Sequence, residues 1–294
     1  MGAYLRPAAL DEALGALAAG APRGQPWVVV AGATDHYPAR VGRLPDEDVL
    51  DITAIGGLRG VEAIVGTTGR PDAWRIGALT TWTDLVETPL PPLFDGLKAA
   101  ALAIGGLQIQ ARGTIAGNVC NASPAADGVP NLLALDATVE LSSSRGPRAV
   151  PIGEFVTGNR RTVRRPDELV TSIVVPAALD GASARSAFEK LGSRAYLVIS
   201  IAMVAAVVEL GADGRIARAR LAVGACSEVA RRLPALEAGL AGRAAAEVRS
   251  GLEAAVRAEH VAHLRPIDDV RGTAAYRRDV ALELVRRALD RVLA

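Results

Sequence analysis

The sequence predicts an α+β protein in two regions, and three observations predict it. Up to Pro176, short apolar runs of β character alternate with stretches of helical leucine spacing, separated by glycine and proline turns. Beyond Pro176, three longer apolar runs follow one another as in an antiparallel sheet. The chain then ends in segments rich in Ala, Arg and Glu whose apolar residues recur at helical spacing. A chain of 294 residues is long enough for two domains, and 50% hydrophobic with 22% charged residues is a globular composition. The boundary falls near residues 176–184.

Leu10, Leu14 and Leu17, with Asp11 and Glu12 near the start, predict a short amphipathic helix over Asp11–Ala19. Gly20, Pro22, Gly24 and Pro26 break the chain before a strand at Trp27–Val30, which runs into Ala31-Gly32-Ala33-Thr34-Asp35. Further strands are expected at Val49–Ile52, Trp74–Ile76 and Thr138–Leu141. Asp72 and Asp84 flank another possible strand through Thr80, Thr81 and Thr83, and serve turns or caps. Leu93 to Ile109 is helical, interrupted at Gly105-Gly106. After a turn at Asp180-Gly181, strands are expected at Ala187–Lys190, Ile199–Leu210 and Ala217–Val223. Helices are expected over Leu236–Ala258 and Tyr276–Leu293, the latter repeating Val280, Leu284, Ala288 and Val292 at i+4.

Composition excludes several classes. With 33 Lys+Arg against 32 Asp+Glu there is no basic field for a nucleic acid, and 3% aromatic residues supply no base-stacking platform. Cys120 and Cys226 are too few for a disulfide framework, a four-thiolate zinc site or an iron–sulfur cluster, and their scarcity fits a reducing compartment. Met1 to Leu10 holds Arg6 and Pro7 with no apolar core behind them, unlike a signal peptide. The apolar run Leu197–Val208 is 12 residues, short of the about 20 that span a bilayer. A cytoplasmic chain is expected.

Two stretches point to chemistry. Val30-Ala31-Gly32-Ala33-Thr34-Asp35 follows a strand directly; Arg112-Gly113-Thr114-Ile115-Ala116-Gly117-Asn118 precedes Asn121-Ala122-Ser123-Pro124-Ala125-Ala126-Asp127. Small residues let successive backbone N–H groups approach an anion, and such a nest suits a diphosphate. Thr34, Thr114, Asn118 and Ser123 add side-chain donors, and Asp127 either accepts from a ribose hydroxyl or caps the segment Gly128–Leu135. G-x-G-x-x-G and G-x-x-x-x-G-K-[ST] are both absent, so neither nucleotide fingerprint applies.

Together the two stretches resemble the flavoprotein subunit of the xanthine dehydrogenase and carbon monoxide dehydrogenase family of molybdenum hydroxylases. That family carries A-G-G-T/H-S/D-L after an early strand, and later T-I-G-G-N with S-P-A-x-D. Here these read Ala31-Gly32-Ala33-Thr34-Asp35-His36, Thr114-Ile115-Ala116-Gly117-Asn118 and Ser123-Pro124-Ala125-Ala126-Asp127. The likeness continues through Pro7–Leu14, Val49–Thr53, Glu168–Pro176, Phe188–Ser193 and Asp269–Arg278, in the family's order.

The resemblance implies a vanillyl-alcohol-oxidase-type FAD-binding domain of two α+β subdomains over residues 1–178. A small C-terminal domain, a three-stranded antiparallel sheet with helices, would fill 179–294. It implies that Val30, Ala31, Gly32, Ala33, Thr34, Asp35 and His36, with Thr114, Ile115, Ala116, Gly117 and Asn118, hold the FAD pyrophosphate. Asp127 would hold the ribose end, and Ile104, Thr171 and Lys190 would line the flavin or adenine. Electrons would come from [2Fe–2S] clusters on a small partner subunit and leave to an external acceptor such as NAD. The molybdenum cofactor would sit on a large third subunit. No residue reads as a general base, nucleophile or metal ligand. Ala33 and Ala116 depart from the family's glycines and would cost stability wherever φ must be positive. They support one alternative, an assembly subunit that has lost FAD; a stand-alone flavin oxidoreductase is another.

Other features have plainer readings. His36 either packs at the end of its loop or anchors a flavin, and the packed reading is preferred. Lys190 either stands as a cation beside the flavin or is solvated at a strand end. Tyr196 either covers a flavin face or packs in the core. Arg160, Arg161, Arg164 and Arg165 form a basic loop, read as solvated rather than as a patch that docks an acidic partner or attracts a dinucleotide acceptor. Cys120 reads as a small buried apolar residue, and His260 with His263 lacks further ligands for zinc.

Overall fold

The computed structural model describes residues 2–21, 26–42, 46–179 and 181–294; the breaks expected at Pro22 and Gly24 and the turn residue Asp180 lie outside these. The chain opens with β1 (Tyr4–Leu5), α1 (Leu10–Gly20), β2 (Val28–Val30) and β3 (Val49–Asp51). β3 lies between β1 and β2, parallel to both. Ala13, Leu14 and Leu17 of α1 bury against Leu50, Ile52, Leu58 and Leu79, so the leucine spacing faces a core of its own.

Next come β4 (Val61–Val65), β5 (Pro71–Gly77), α2 (Trp82–Glu87), α3 (Asp95–Ala103), α4 (Leu107–Arg112), α5 (Ile115–Asn121) and α6 (Gly128–Ala134). β6 (Thr138–Ser143), β7 (Gly146–Pro151), α7 (Ile152–Phe155), the hairpin β8 (Val156–Gly158) and β9 (Arg161–Thr162), and β10 (Leu169–Pro176) follow. β10 inserts between β5 and β6, giving an antiparallel sheet in the order β4-β5-β10-β6-β7. One face, with Ile76, Val139, Val170 and Ile173, packs on Trp82, Leu97, Ile115 and Leu132 of the helices. Arg75, Glu140 and Ser172 stand on the other face.

The remainder contains β11 (Ser183–Leu191), β12 (Ala202–Leu210), β13 (Ile216–Gly224) and β14 (Arg231–Arg232). α8 (Pro234–Leu240), α9 (Ala245–Ser250), α10 (Leu252–Ala255) and α11 (Ala274–Val292) follow them. The strands pair antiparallel in sequence order, so the three long strands expected are joined by a two-residue fourth. β12 explains the long apolar run. Met203, Ala205 and Val207 belong to the core of the first region, while Ala202, Val204, Ala206 and Val208 lie under α11 in the core of the second. A strand covered on both faces has no polar alternation.

Several expectations change. The helix expected over Leu236–Ala258 is three short helices, because Gly242 turns left-handed at φ +77° and Gly251 separates α9 from α10. The strand considered through Thr80, Thr81 and Thr83 is a helix start. The Thr81 hydroxyl accepts from the Asp84 amide while the Asp84 carboxylate accepts from the Thr81 amide. Tyr196, for which core packing was one reading, is 67% exposed.

Candidate functional site

β2 delivers the first stretch into a tight approach with the second. A Cβ built on Gly32 would stand 1.8 Å from the Arg112 carbonyl oxygen, so the two backbones touch where only glycine fits. Thr34 reaches the same place from above: its hydroxyl oxygen lies 3.3 Å from where a Gly113 Cβ would sit. Ala33 adopts φ +57°, a left-handed conformation unusual for a residue with a side chain. The amides of Ala33, Thr34, Asp35 and His36 meet no acceptor among the described residues. Consecutive unpartnered N–H groups beside a left-handed residue are the components of an anion nest.

His36 closes this loop. Its ring is edge-on to Tyr37 with centroids 4.9 Å apart, and its Nε2 lies 3.6 Å from Glu47. Burial lowers the imidazole pKa, Arg40 lowers it further, and Glu47 and Asp35 oppose them. The neutral ring is favoured, as suits a histidine packed at a loop end.

The second stretch is held by α2 and opens α5. Trp82 donates its amide to the Gly113 carbonyl at 3.2 Å, and Ile115 donates to Thr80 at 3.0 Å. The Thr114 hydroxyl caps α5 by accepting from the Gly117 amide at 3.1 Å. A Gly117 Cβ would come within 2.7 Å of that hydroxyl oxygen, which is why the position is open. Ala116 lies in the first turn of the helix and is buried, so the positive φ considered for it does not arise. Asn118 carries its side-chain oxygen into the interior with no partner among the described residues.

A second cluster lies where the two regions meet. Lys190 of β11 donates to the Asp127 carboxylate at 2.6 Å and to the Ala103 carbonyl at 3.4 Å, while Ser200 donates to the other Asp127 oxygen. Lys190 is therefore not solvated at a strand end: its side chain is 11% exposed and that of Asp127 6%. Burial raises the Asp127 carboxyl pKa, and Lys190 and Ser200 pull against it. The Asp127 side chain caps nothing, which removes the capping reading; α6 simply begins beside it. Ile104 ends α3 next to this cluster, its carbonyl accepting from Gln110 at 3.2 Å.

Thr171 stands apart. A bulge between Val170 and Ser172 turns it to the outer face of the five-stranded sheet, where it lines a cleft with Arg75, Glu140 and Ser172. The basic loop is not simply solvated either. Arg160 pairs with Asp35, Arg161 with Glu228 and Arg165 with Glu168, while Arg164 donates to the Glu168 carbonyl. Burial pushes the Cys120 thiol up to about 11, leaving it a protonated space-filler in the last turn of α5. The sequence marks Arg160 only as part of a basic loop and Ser200 not at all, since their partners Asp35 and Asp127 lie far along the chain.

The residues fit FAD. The Gly32–Arg112 contact, the free amides after Ala33 and the unpartnered Asn118 oxygen give a diphosphate and its ribose what they need: close backbone, donors and a buried acceptor.

Comparison with known proteins agrees with this architecture. Residues 1–178 match the FAD binding domain in molybdopterin dehydrogenase, and residues 186–292 the CO dehydrogenase flavoprotein C-terminal domain. The chain is 30% identical to the glyceraldehyde dehydrogenase medium chain of Sulfolobus acidocaldarius, covering 98% of this chain and 97% of that one. It is 27% identical to the nicotine 6-hydroxylase medium subunit of Paenarthrobacter nicotinovorans, over 97% and 95% of the two chains. Carbon monoxide dehydrogenase from Hydrogenophaga pseudoflava contains a chain of the same fold, with a TM-score of 0.85 and 29% identity over 99% of this chain and 96% of that one. This chain belongs to the family of FAD-binding medium subunits of molybdenum hydroxylases.

Proposed function

We propose that the chain is the electron-transfer subunit of a three-subunit molybdenum hydroxylase. A small [2Fe–2S] subunit would deliver electrons, a large molybdopterin subunit would carry the substrate chemistry, and an external acceptor such as NAD would receive the electrons. The observation that carries this reading is the backbone contact of Gly32 with Arg112, flanked by the unpartnered amides of Ala33 to His36. Bound FAD supplies the redox chemistry, accepting and releasing electrons singly or in pairs. The chain's own residues bind and orient it: the two stretches face the diphosphate, and Ile104 with the Asp127–Lys190 pair faces the other end. The Lys190 charge is balanced by Asp127 at 2.6 Å, so it acts through position rather than as a free cation.

The assembly-subunit alternative loses half its support, because Ala116 is helical and only Ala33 is left-handed. Among the described residues no helix is long and apolar enough to cross a membrane, and a cytoplasmic location rests on the sparse cysteines. The visible spectrum of the purified chain, taken before and after acid precipitation, tests the reading. Flavin bands that pass into the supernatant are expected. Colour retained in the pellet would make His36 a covalent anchor, and a colourless chain that takes up no added FAD would return the assembly reading. Reduction of that flavin by the co-purified partner subunits, on addition of the complex's substrate, tests the electron route.

A further inference from the structure

The tip of the β8–β9 hairpin holds a strained arginine. Arg160 adopts φ +57°, a conformation that costs an L-residue with a side chain and that glycine or asparagine takes more readily. Asparagine stands one position earlier, at Asn159, so the strain is not for want of a suitable residue nearby. The Arg160 amide donates to the Ala122 carbonyl at 2.9 Å, fixing the turn against the end of α5. From there a single nitrogen, Nη1, reaches Asp35 at 2.6 Å and also the Asn121 side-chain oxygen. One guanidinium thus joins the first stretch, the end of the helix that the second stretch opens, and the hairpin. A strained residue kept in place by several tertiary bonds is a candidate for function.

Four other cations of this region are committed elsewhere. Arg161 is paired with Glu228, Arg165 with Glu168, Arg40 with Glu47 and Lys190 with Asp127. Asp35 sits within the run of unpartnered amides, so fixing its side chain fixes the curvature of that run. We propose that Arg160 is a positioning residue for a dinucleotide diphosphate, holding the first stretch against α5 through Asp35 and Asn121 so that the amides after Ala33 face the anion together. The inference rests on the reading of these stretches as the FAD site.

The test is an FAD titration of the purified full-length chain, stripped of flavin, alongside thermal unfolding of the stripped form. Arg160→Asn relieves the left-handed strain, so its stripped form should unfold no earlier than the wild type, while its FAD affinity falls five- to tenfold. That range matches what an exposed ion pair with one added hydrogen bond contributes. Asp35→Asn should lose a similar factor, and the double variant no more than either alone, because both changes cut the same link. Arg160→Asn binding FAD as tightly as wild type overturns the proposal. So does Asp35→Asn binding as tightly or tighter, which would mean a freed Arg160 meets the diphosphate itself. A wild-type chain that takes up no FAD fails the underlying reading instead, a distinguishable result.

Discussion

Replacing Gly32 by alanine tests the two-stretch cradle at its tightest point. The added Cβ would lie 1.8 Å from the Arg112 carbonyl oxygen and 2.6 Å from its carbon, whereas real Cβ contacts do not fall below 3.0 Å. The obstruction is backbone on both sides, so no rotamer relieves it, and the strands of the cradle must part by about 1.2 Å at this point. Overpacking of that kind costs about 1–3 kcal/mol. For a chain of this length that lowers Tm by roughly 2–4 °C per kcal/mol. The ligand feels more than the fold does: losing one or two amide hydrogen bonds to a charged diphosphate, at about 1.5–3 kcal/mol each, costs on the order of a hundredfold in affinity. Gly32→Ala is therefore expected to stay folded, with a modest fall in Tm, and to lose FAD affinity by roughly a hundredfold. Fluorescence titration of the stripped chain with FAD reads the affinity, and calorimetry reads the Tm. Unchanged affinity with a lowered Tm would refute the reasoning, since the contact would then be structural and remote from the cofactor.

Other outcomes follow from the same geometry. Ala33→Gly removes the left-handed strain at φ +57°, worth about 1 kcal/mol before the entropy of the added glycine. It should raise Tm by a degree or two and bind FAD at least as well, and a lower Tm would contradict the strain. Lys190→Met strands the buried Asp127 carboxylate, and breaking such a pair costs about 3–5 kcal/mol. Asp127→Asn with Lys190→Met should recover most of that in urea unfolding, and no recovery would mean the pair is not coupled. His36 has its pKa lowered from 6.5 by burial and by Arg40, against Glu47 and Asp35. The fold holds the neutral ring, so this contribution is full above pH 6.5 and is lost as the pH falls through the lower folded value. Subtracting the stability profile of His36→Asn from that of the wild type should leave a loss of stability on acidification below 6.5, and a flat difference would exclude it.

What could be read in the sequence was what repeats locally. Leu14 and Leu17 mark a helix because its buried face is one stripe, and Val280, Leu284, Ala288 and Val292 do the same in α11. α5 escaped notice as a helix because Gly117 and its small neighbours have little helical propensity; the Thr114 cap and the burial of Ile115 and Val119 make it. Over Leu236–Ala258 the periodicity was legible, but Gly242 adopts a conformation that no helix continues through. Ala116 aligned with a family glycine and suggested strain, yet helical backbone needs no glycine. The outward facing of Thr171 comes from a bulge, which shifts the inward–outward alternation without any sequence marker. The partners of Asp127 lie at Lys190 and Ser200, across the junction of the two regions, and only the folded chain brings them together.

The alternation of β12 has a consequence for how the protein comes apart. Its odd-numbered residues Met203, Ala205 and Val207 complete the interior of the first region, and its even-numbered ones complete the second. Two family matches divide the sequence, but the strand is common property. A fragment ending near residue 178 would lack those side chains along with Phe188 and Ala222, and would present bare apolar surface under α6. All three tryptophans, Trp27, Trp74 and Trp82, belong to the first region, yet their fluorescence should change in step with loss of the C-terminal sheet. The chain is therefore expected to melt as one cooperative body, and separate expression of its halves should yield aggregates rather than two working modules.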